Sequence, residues 1–148
     1  MIRIITHSPE ETIKTAEKLG AFIKAGDMIA YKGGLGAGKT TFTRGIAVGM
    51  GLGDNVTSPT FALVNEYRGE NIILYHFDMY RINTWDDLYS TGFFDYLDMG
   101  GVLVIEWSEN IENCLPENSI RVSISKNDNE NERIITLERG ADSEDTRA

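Results

Sequence analysis

The sequence predicts an α/β fold, a mixed β-sheet flanked by helices and extended by β-hairpins. Three observations carry that prediction. The glycine-rich run Gly33-Gly34-Leu35-Gly36-Ala37-Gly38-Lys39-Thr40 lies between an apolar strand pattern and a helix pattern. The unbroken apolar run Val102-Leu103-Val104-Ile105 has the composition of a strand buried on both faces of a parallel sheet. Two pairs of strand-like segments are each joined by a polar turn, which is the pattern of a hairpin.

Residues 2–6 are short and β-branched and read as a first strand. Ser8-Pro9-Glu10-Glu11 then starts a helix, with Ser8 as N-cap, Pro9 at the first position and Glu11 completing a capping box. Ile13, Ala16, Leu19, Phe22 and Ile23 recur at helical spacing, so the helix is expected to run to about Lys24. After the turn Ala25-Gly26-Asp27, the segment Met28-Ile29-Ala30-Tyr31 is the strand that feeds the glycine-rich loop. A helix from Thr40 to about Met50 follows, with Phe42, Ile46 and Val48 apolar and Gly49, Gly51 and Gly53 ending it.

Thr57-Ser58-Pro59-Thr60 is turn-rich, and Pro59 biases Ser58 toward an extended backbone. The first hairpin pairs 61–67 with 72–77 around Arg68-Gly69-Glu70-Asn71. Residues 84–98 read as helix with a break near Gly92, and the buried strand 102–105 ends in Glu106-Trp107. Alternating residues in 119–124 and 133–137 make the second hairpin. At 148 residues one domain is expected, taken as 1–139, with the small polar residues 140–148 as a disordered tail.

The loop fits G-x-x-x-x-G-K-[ST] at every fixed position, so the predicted fold is P-loop NTPase-like. Glycines let backbone N–H groups converge on phosphate oxygens, Lys39 supplies charge to the β/γ-phosphates, and the Thr40 hydroxyl suits Mg²⁺. The helix that begins there adds its positive end. Nucleotide is expected outside the carboxyl ends of the parallel strands. An acid that ends a buried strand beside the loop is needed to hold or organise the metal. Glu106 and Asp78 are the candidates. Glu106 is assigned to Mg²⁺ coordination and Asp78 to the attacking water or a water-mediated metal contact, although sequence alone leaves the division of roles open.

The remaining polar residues carry weaker signals. Thr57, Ser58 and Thr60 lie where hydroxyls could reach Mg²⁺ or a γ-phosphate oxygen, but Thr-Ser-Pro-Thr by itself is a turn. Arg81 could stabilise transferring charge or pair with Asp78. Tyr80 and Trp107 read as packing residues, and His76 reads as a packed strand residue rather than a catalytic base. His7 and Cys114 carry no usable signal.

Composition excludes several classes. An apolar content of 41% with 25% charged residues is ordinary for a soluble globular protein. The net charge of −9, from 14 basic against 23 acidic side chains, argues against gripping nucleic acid directly. The single cysteine excludes an intrachain disulfide and suits a reducing compartment. No run of about 18 apolar residues occurs, and the N-terminus lacks a signal-peptide core, so a cytoplasmic location without membrane contact is expected.

Four pieces together resemble the TsaE (YjeE) family: the loop through Thr41-Phe42, Thr57-Ser58-Pro59-Thr60-Phe61, His76-Phe77-Asp78-Met79-Tyr80-Arg81, and Glu106-Trp107. The first is shared by many ATPases, and the other three in this order are far more specific. The resemblance implies a small ATPase that binds ATP with Mg²⁺, hydrolyses it slowly and associates with TsaB and TsaD. In the family's pathway TsaD transfers threonylcarbamoyl to adenosine 37 of tRNAs reading codons beginning with A, and the ATPase resets the complex between turnovers. It also implies Thr40 and Glu106 as Mg²⁺ ligands, and Gly36, Ala37, Gly38, Lys39, Thr40 and Thr41 as the phosphate-binding segment. Ser8 falls near a family nucleotide contact, and Arg133 aligns loosely near the base. Gly34 stands where relatives often carry an acid, a departure of little expected consequence.

Two rival classes share the loop. A small-metabolite kinase needs an arginine-rich lid, yet between residues 45 and 120 the only arginines are Arg68 and Arg81. A GTP-dependent switch expects Asn-Lys-x-Asp, and no Asn-Lys dipeptide occurs. Adenine is favoured.

Overall fold

The computed structural model describes residues 1–32, 38–52 and 64–139. In chain order these form β1 (Ile2–Thr6), α1 (Pro9–Phe22), β2 (Met28–Lys32), α2 (Lys39–Gly49), β3 (Val64–Arg68), β4 (Ile73–Asp78), α3 (Trp85–Ser90), α4 (Phe93–Leu97) and β5 (Val102–Glu106). A 3₁₀ segment, Ser108–Cys114, leads to β6 (Ile120–Lys126) and β7 (Arg133–Arg139). The strands lie in the order β1-β7-β6-β2-β5-β4-β3. Its centre is parallel, β2 pairing with β5 and β6 while β4 pairs with β5. The hairpins extend it antiparallel on both sides, with β3 on β4, and β7 on β6 with β1 beyond it. The expected mixed sheet with hairpin additions is the fold found.

Alternation along the central strands divides the core in two. Ile29, Tyr31, Val102 and Val104 face α1 and α2, where Ala16, Phe42 and Ile46 cover them. Met28, Ala30, Leu103 and Ile105 face Leu88 of α3, Phe93 of α4 and Ile111 of the 3₁₀ segment. All of β5 is therefore buried, as its apolar run predicts. Gly92, with φ 79°, makes the break between α3 and α4 in left-handed backbone that glycine adopts without strain.

Of the expected apolar stripe on α1, Ala16 and Ile23 are buried and Leu19 packs against the core, whereas Phe22 departs from it. The buried line on α1 is Thr12, Ala16 and Gly20, with Ile23 just beyond its end, whereas Phe22 is 82% exposed. Close approach is the reason. A Cβ on Gly20 would lie 2.3 Å from the Ile46 carbonyl oxygen, and one on Gly49 2.2 Å from that of Glu17. Small residues let the two backbones touch, and a larger side chain such as Phe22 has no room on that face.

The α1 cap also departs in one detail. Ser8 Oγ accepts from the Glu11 N–H at 3.1 Å, but the Glu11 carboxylate accepts from the His7 N–H at 2.9 Å, one residue earlier than a capping box requires. The 3₁₀ segment is an element the sequence pattern did not suggest. The proposed tail 140–148, residues 61–63 of the first hairpin, and Gly53 lie outside the described residues.

Candidate functional site

The parallel strands β2, β4 and β5 end together, and this brings the predicted residues to one edge. β4 closes with Asp78 and β5 with Glu106, and the two are register partners. The backbone reinforces the junction, since the Met79 N–H donates to the Glu106 carbonyl at 2.9 Å. After β2 the chain re-enters the described residues at Gly38, which N-caps α2 in left-handed backbone at φ 103° and offers no side-chain cap to its amides. A helix N-terminus with glycine at its cap suits an anion. Lys39, Thr40 and Thr41 occupy its first turn, with Lys39 buried at 6% exposure.

Several contacts fix α2 at that edge. The Thr43 hydroxyl donates to the Lys39 carbonyl at 2.9 Å, so the Tyr31 hydroxyl 2.7 Å away must be the donor to Thr43. Full burial raises the Tyr31 pKa far above its usual value, which keeps that proton in place. From the other side, buried Ser108 donates to the Tyr31 carbonyl at 2.7 Å, tying the segment after β5 to the end of β2. Trp107, the residue between, is the described non-glycine residue with positive φ, at 60°. Its ring packs edge-on to Tyr80 with centroids 5.0 Å apart, and Lys39 Nζ sits 5.1 Å from its centroid. The packing expected for Tyr80 and Trp107 is thus real, and it adjoins Lys39.

The acids differ in setting. Glu106 is 9% exposed, and its Oε2 lies 2.7 Å from Nε2 of His76, which is fully buried. Asp78 is half-exposed and accepts the Tyr80 N–H at 2.9 Å, not a contact from Arg81. Desolvation, the largest cause, raises the Asp78 pKa above 3.8; Tyr80's N–H opposes it, Glu106 adds to it, and His76 and Lys39 oppose it. The i, i+2 spacing of His76 and Asp78 puts both on the sheet face that α2 covers. That spacing was the available signal for His76, which the sequence reading treated as packing alone.

A second group meets the loop from the opposite flank. Pro9, Thr12, Gly38, Thr41, Asn131 and Arg133 line a cleft beside the end of the loop. Arg133 Nε stands 3.8 Å from where a Gly38 Cβ would be, and the Arg133 guanidinium donates to the Glu130 and Glu132 carbonyls at 2.7 and 2.8 Å. Ser8 lies at the near end of α1 as its cap. His7, for which the sequence offered no signal, bonds Glu132 through Nδ1 at 2.8 Å and pins this corner to the β6–β7 turn. Gly36 and Ala37, and the Thr57, Ser58 and Thr60 hydroxyls, lie outside the described residues.

The model of the family described as "Threonylcarbamoyl adenosine biosynthesis protein TsaE" matches residues 6–135. The chain belongs to the TsaE family. A Bacillus subtilis relative named tRNA threonylcarbamoyladenosine biosynthesis protein TsaE is 42% identical over 132 residues, 89% of this chain and 82% of its own length. Its Treponema pallidum counterpart is 35% identical over 123 residues, covering 83% of this chain and 90% of itself. Among solved structures, Bacillus subtilis YdiB superposes with a TM-score of 0.76 at 34% identity, over 98% of this chain and 89% of that one. The TsaE family accounts for the P-loop fold.

Two of the predicted residues have the chemistry of hard-cation ligands. Thr40 and Glu106 offer hydroxyl and carboxylate oxygen, the ligand type of Mg²⁺, which is usually held by one or two protein groups together with substrate phosphates and water. Among the described residues no cluster of three or more His, Cys, Asp or Glu suited to a metal occurs. Nor is any described helix long and apolar enough to cross a membrane.

Proposed function

We propose that this chain is a Mg²⁺-dependent ATPase of the cytoplasmic system that forms threonylcarbamoyladenosine at position 37 of tRNAs reading codons beginning with A. ATP hydrolysis to ADP and phosphate resets a TsaB–TsaD transferase complex between turnovers. The observation that carries this reading is that Asp78 and Glu106 end adjacent strands with Lys39 of α2 close enough to act on Asp78 and 5.1 Å from the Trp107 ring. The names of the relatives carry the pathway.

Within that reading Lys39 and the amides of Gly36, Ala37, Gly38, Thr40 and Thr41 hold the phosphates. Thr40 and Glu106 hold Mg²⁺, which when bound neutralises charge developing between the β- and γ-phosphates. Asp78 orients the attacking water and takes its proton. Its raised pKa moves it toward the working range of a general base. Ser8 and Arg133 approach the nucleoside side, Arg133 from the cleft it lines, and residues 1–139 act as one domain. The Thr57, Ser58 and Thr60 hydroxyls report nucleotide state to the partners. The net charge of −9 supports tRNA being held by those partners and not by this chain.

The test is Lys39→Ala in a multiple-turnover tRNA-modification assay reconstituted with TsaB and TsaD. Loss of sustained modification with the fold intact is expected. Full modification by the variant overturns the reading, and a phosphorylated small molecule in place of free phosphate would favour a metabolite kinase.

A further inference from the structure

The fully buried His76 has no part in the mechanism above, yet its Nε2 lies 2.7 Å from Glu106 Oε2. We infer that His76 is a positioning residue, holding the Glu106 carboxylate in the one orientation that serves a divalent cation. The inference rests on the reading of Glu106 as a Mg²⁺ ligand.

The two side chains differ in freedom. His76 sits mid-strand, paired with Asn65 of β3 on one side and Val104 of β5 on the other, so its backbone is fixed from both directions. A fully enclosed imidazole on such a backbone has one place to be. Glu106 is the last residue of β5 and has three side-chain torsions with which to leave the site. One hydrogen bond from a rigid donor removes much of that freedom before a cation arrives. Outer-sphere hydrogen bonds orient metal-binding carboxylates in this way.

The chemistry also fixes which way the bond runs. A carboxylate that binds a cation is ionised and can only accept, so Nε2 must carry the proton. Nδ1 of a neutral ring is then a bare acceptor, and it has no hydrogen-bond partner among the described residues. The opposite tautomer would bury an N–H without an acceptor there, the rarer and costlier arrangement. The bond engages Oε2 of that carboxylate.

Two variants separate this role from packing. The amide nitrogen of His76→Gln reaches about as far as imidazole Nε2, whereas that of His76→Asn stops near the Nδ1 position and cannot reach Glu106. The measurement is binding of a non-hydrolysable ATP analogue, titrated with Mg²⁺ and repeated in EDTA, with a thermal melt of each variant. We expect His76→Asn to need roughly 10- to 100-fold more Mg²⁺ for half-maximal enhancement of binding, and His76→Gln to stay within about 3-fold of the parent. Affinity in EDTA should stay unchanged for both.

An unchanged Mg²⁺ requirement in His76→Asn overturns the inference, as does a Gln variant that fails equally. Loss of EDTA-resistant binding and of thermal stability in both variants also overturns it, leaving His76 as packing alone. Glu106→Gln distinguishes the two readings. If it abolishes the Mg²⁺ response and His76→Asn does not, only the positioning role falls. If analogue binding by the parent protein is indifferent to Mg²⁺, the reading of Glu106 as a ligand falls with it.

Discussion

Asp78 and Glu106 stand side by side at the ends of adjacent parallel strands, yet they occupy different environments. Glu106 is nearly enclosed and bonded to His76, while Asp78 is half-exposed and accepts the Tyr80 backbone N–H. Two acids treated this differently are suited to different tasks.

The Asp78 environment predicts a trade between stability and activity. Folding raises its pKa above 3.8, chiefly by desolvation. The folded protein therefore binds this proton more tightly than the unfolded chain. The cost of ionising it is absent below about 3.8, builds as pH rises, and is fully present above the folded value. Asp78→Asn keeps an acceptor for the Tyr80 N–H and removes the charge. It should melt at a higher temperature than the parent at pH 7, with no such gain at pH 3, while ATP turnover falls about 10²- to 10⁴-fold. Calorimetry at both pH values with a phosphate-release assay checks this, and a variant less stable at pH 7 would contradict it.

The α1–α2 contact predicts that adding methyl groups will destabilise a helix pair that propensity says they should help. Gly20 and Gly49 face each other, and in each case the nearest obstacle to a Cβ is a carbonyl oxygen of the other helix. Alanine gains about 1 kcal/mol of helix propensity over glycine. Overpacking against backbone that cannot step aside costs about 1–3 kcal/mol. Each single Gly→Ala change should therefore lower stability by up to about 2 kcal/mol net. Once one methyl has pushed the helices apart, the second meets less resistance, so the double variant should lose less than the sum. Urea denaturation of the four proteins in the cycle decides it, and two stabilised single variants would refute the close-approach account.

That glycine contact also marks where the sequence stopped being readable. Strands β2 and β5 and both hairpins announce themselves through local apolar patterns, and Gly33 to Thr40 announces a phosphate site through spacing. On α1 the expected stripe found Ala16, Leu19 and Ile23 but missed Thr12 and Gly20, which are not apolar by type. Which face is buried was decided by Gly45 and Gly49 on another helix. Distance along the chain hid the rest. Ser108 and Tyr31 are 77 positions apart and His76 and Glu106 are 30 apart, so no local period relates them. The strand-end rule was enough to bring Asp78 and Glu106 together; it could not say that a histidine two residues before one acid would bind the other. Gly36, Ala37 and the Thr57 to Thr60 stretch lie outside the described residues, and their assignments stand on motif and resemblance.

The His7–Glu132 pair predicts a pH window for the corner where the start of α1 meets the β6–β7 turn. Bonding to Glu132 is the largest cause raising the His7 pKa above 6.5, and bonding to His7 is the largest cause lowering that of Glu132 below 4.5. The histidine's contribution is complete below 6.5 and is lost as pH climbs through its folded value. The carboxylate's is complete above 4.5 and is lost as pH drops through its folded value. Both are therefore fully present between about 4.5 and 6.5, and as pH rises through the raised His7 value the corner loosens first at His7. The ring protons of His7 should titrate by NMR with a midpoint above 6.5, and Glu132→Gln should bring that midpoint down while leaving the smaller upward pull of Glu11. Because Arg133 follows Glu132 directly and lines the cleft with Pro9 and Thr12, the same variant should weaken ATP binding severalfold more at pH 6 than at pH 8.5. Equal weakening at the two pH values would show that Glu132 acts on the cleft without His7.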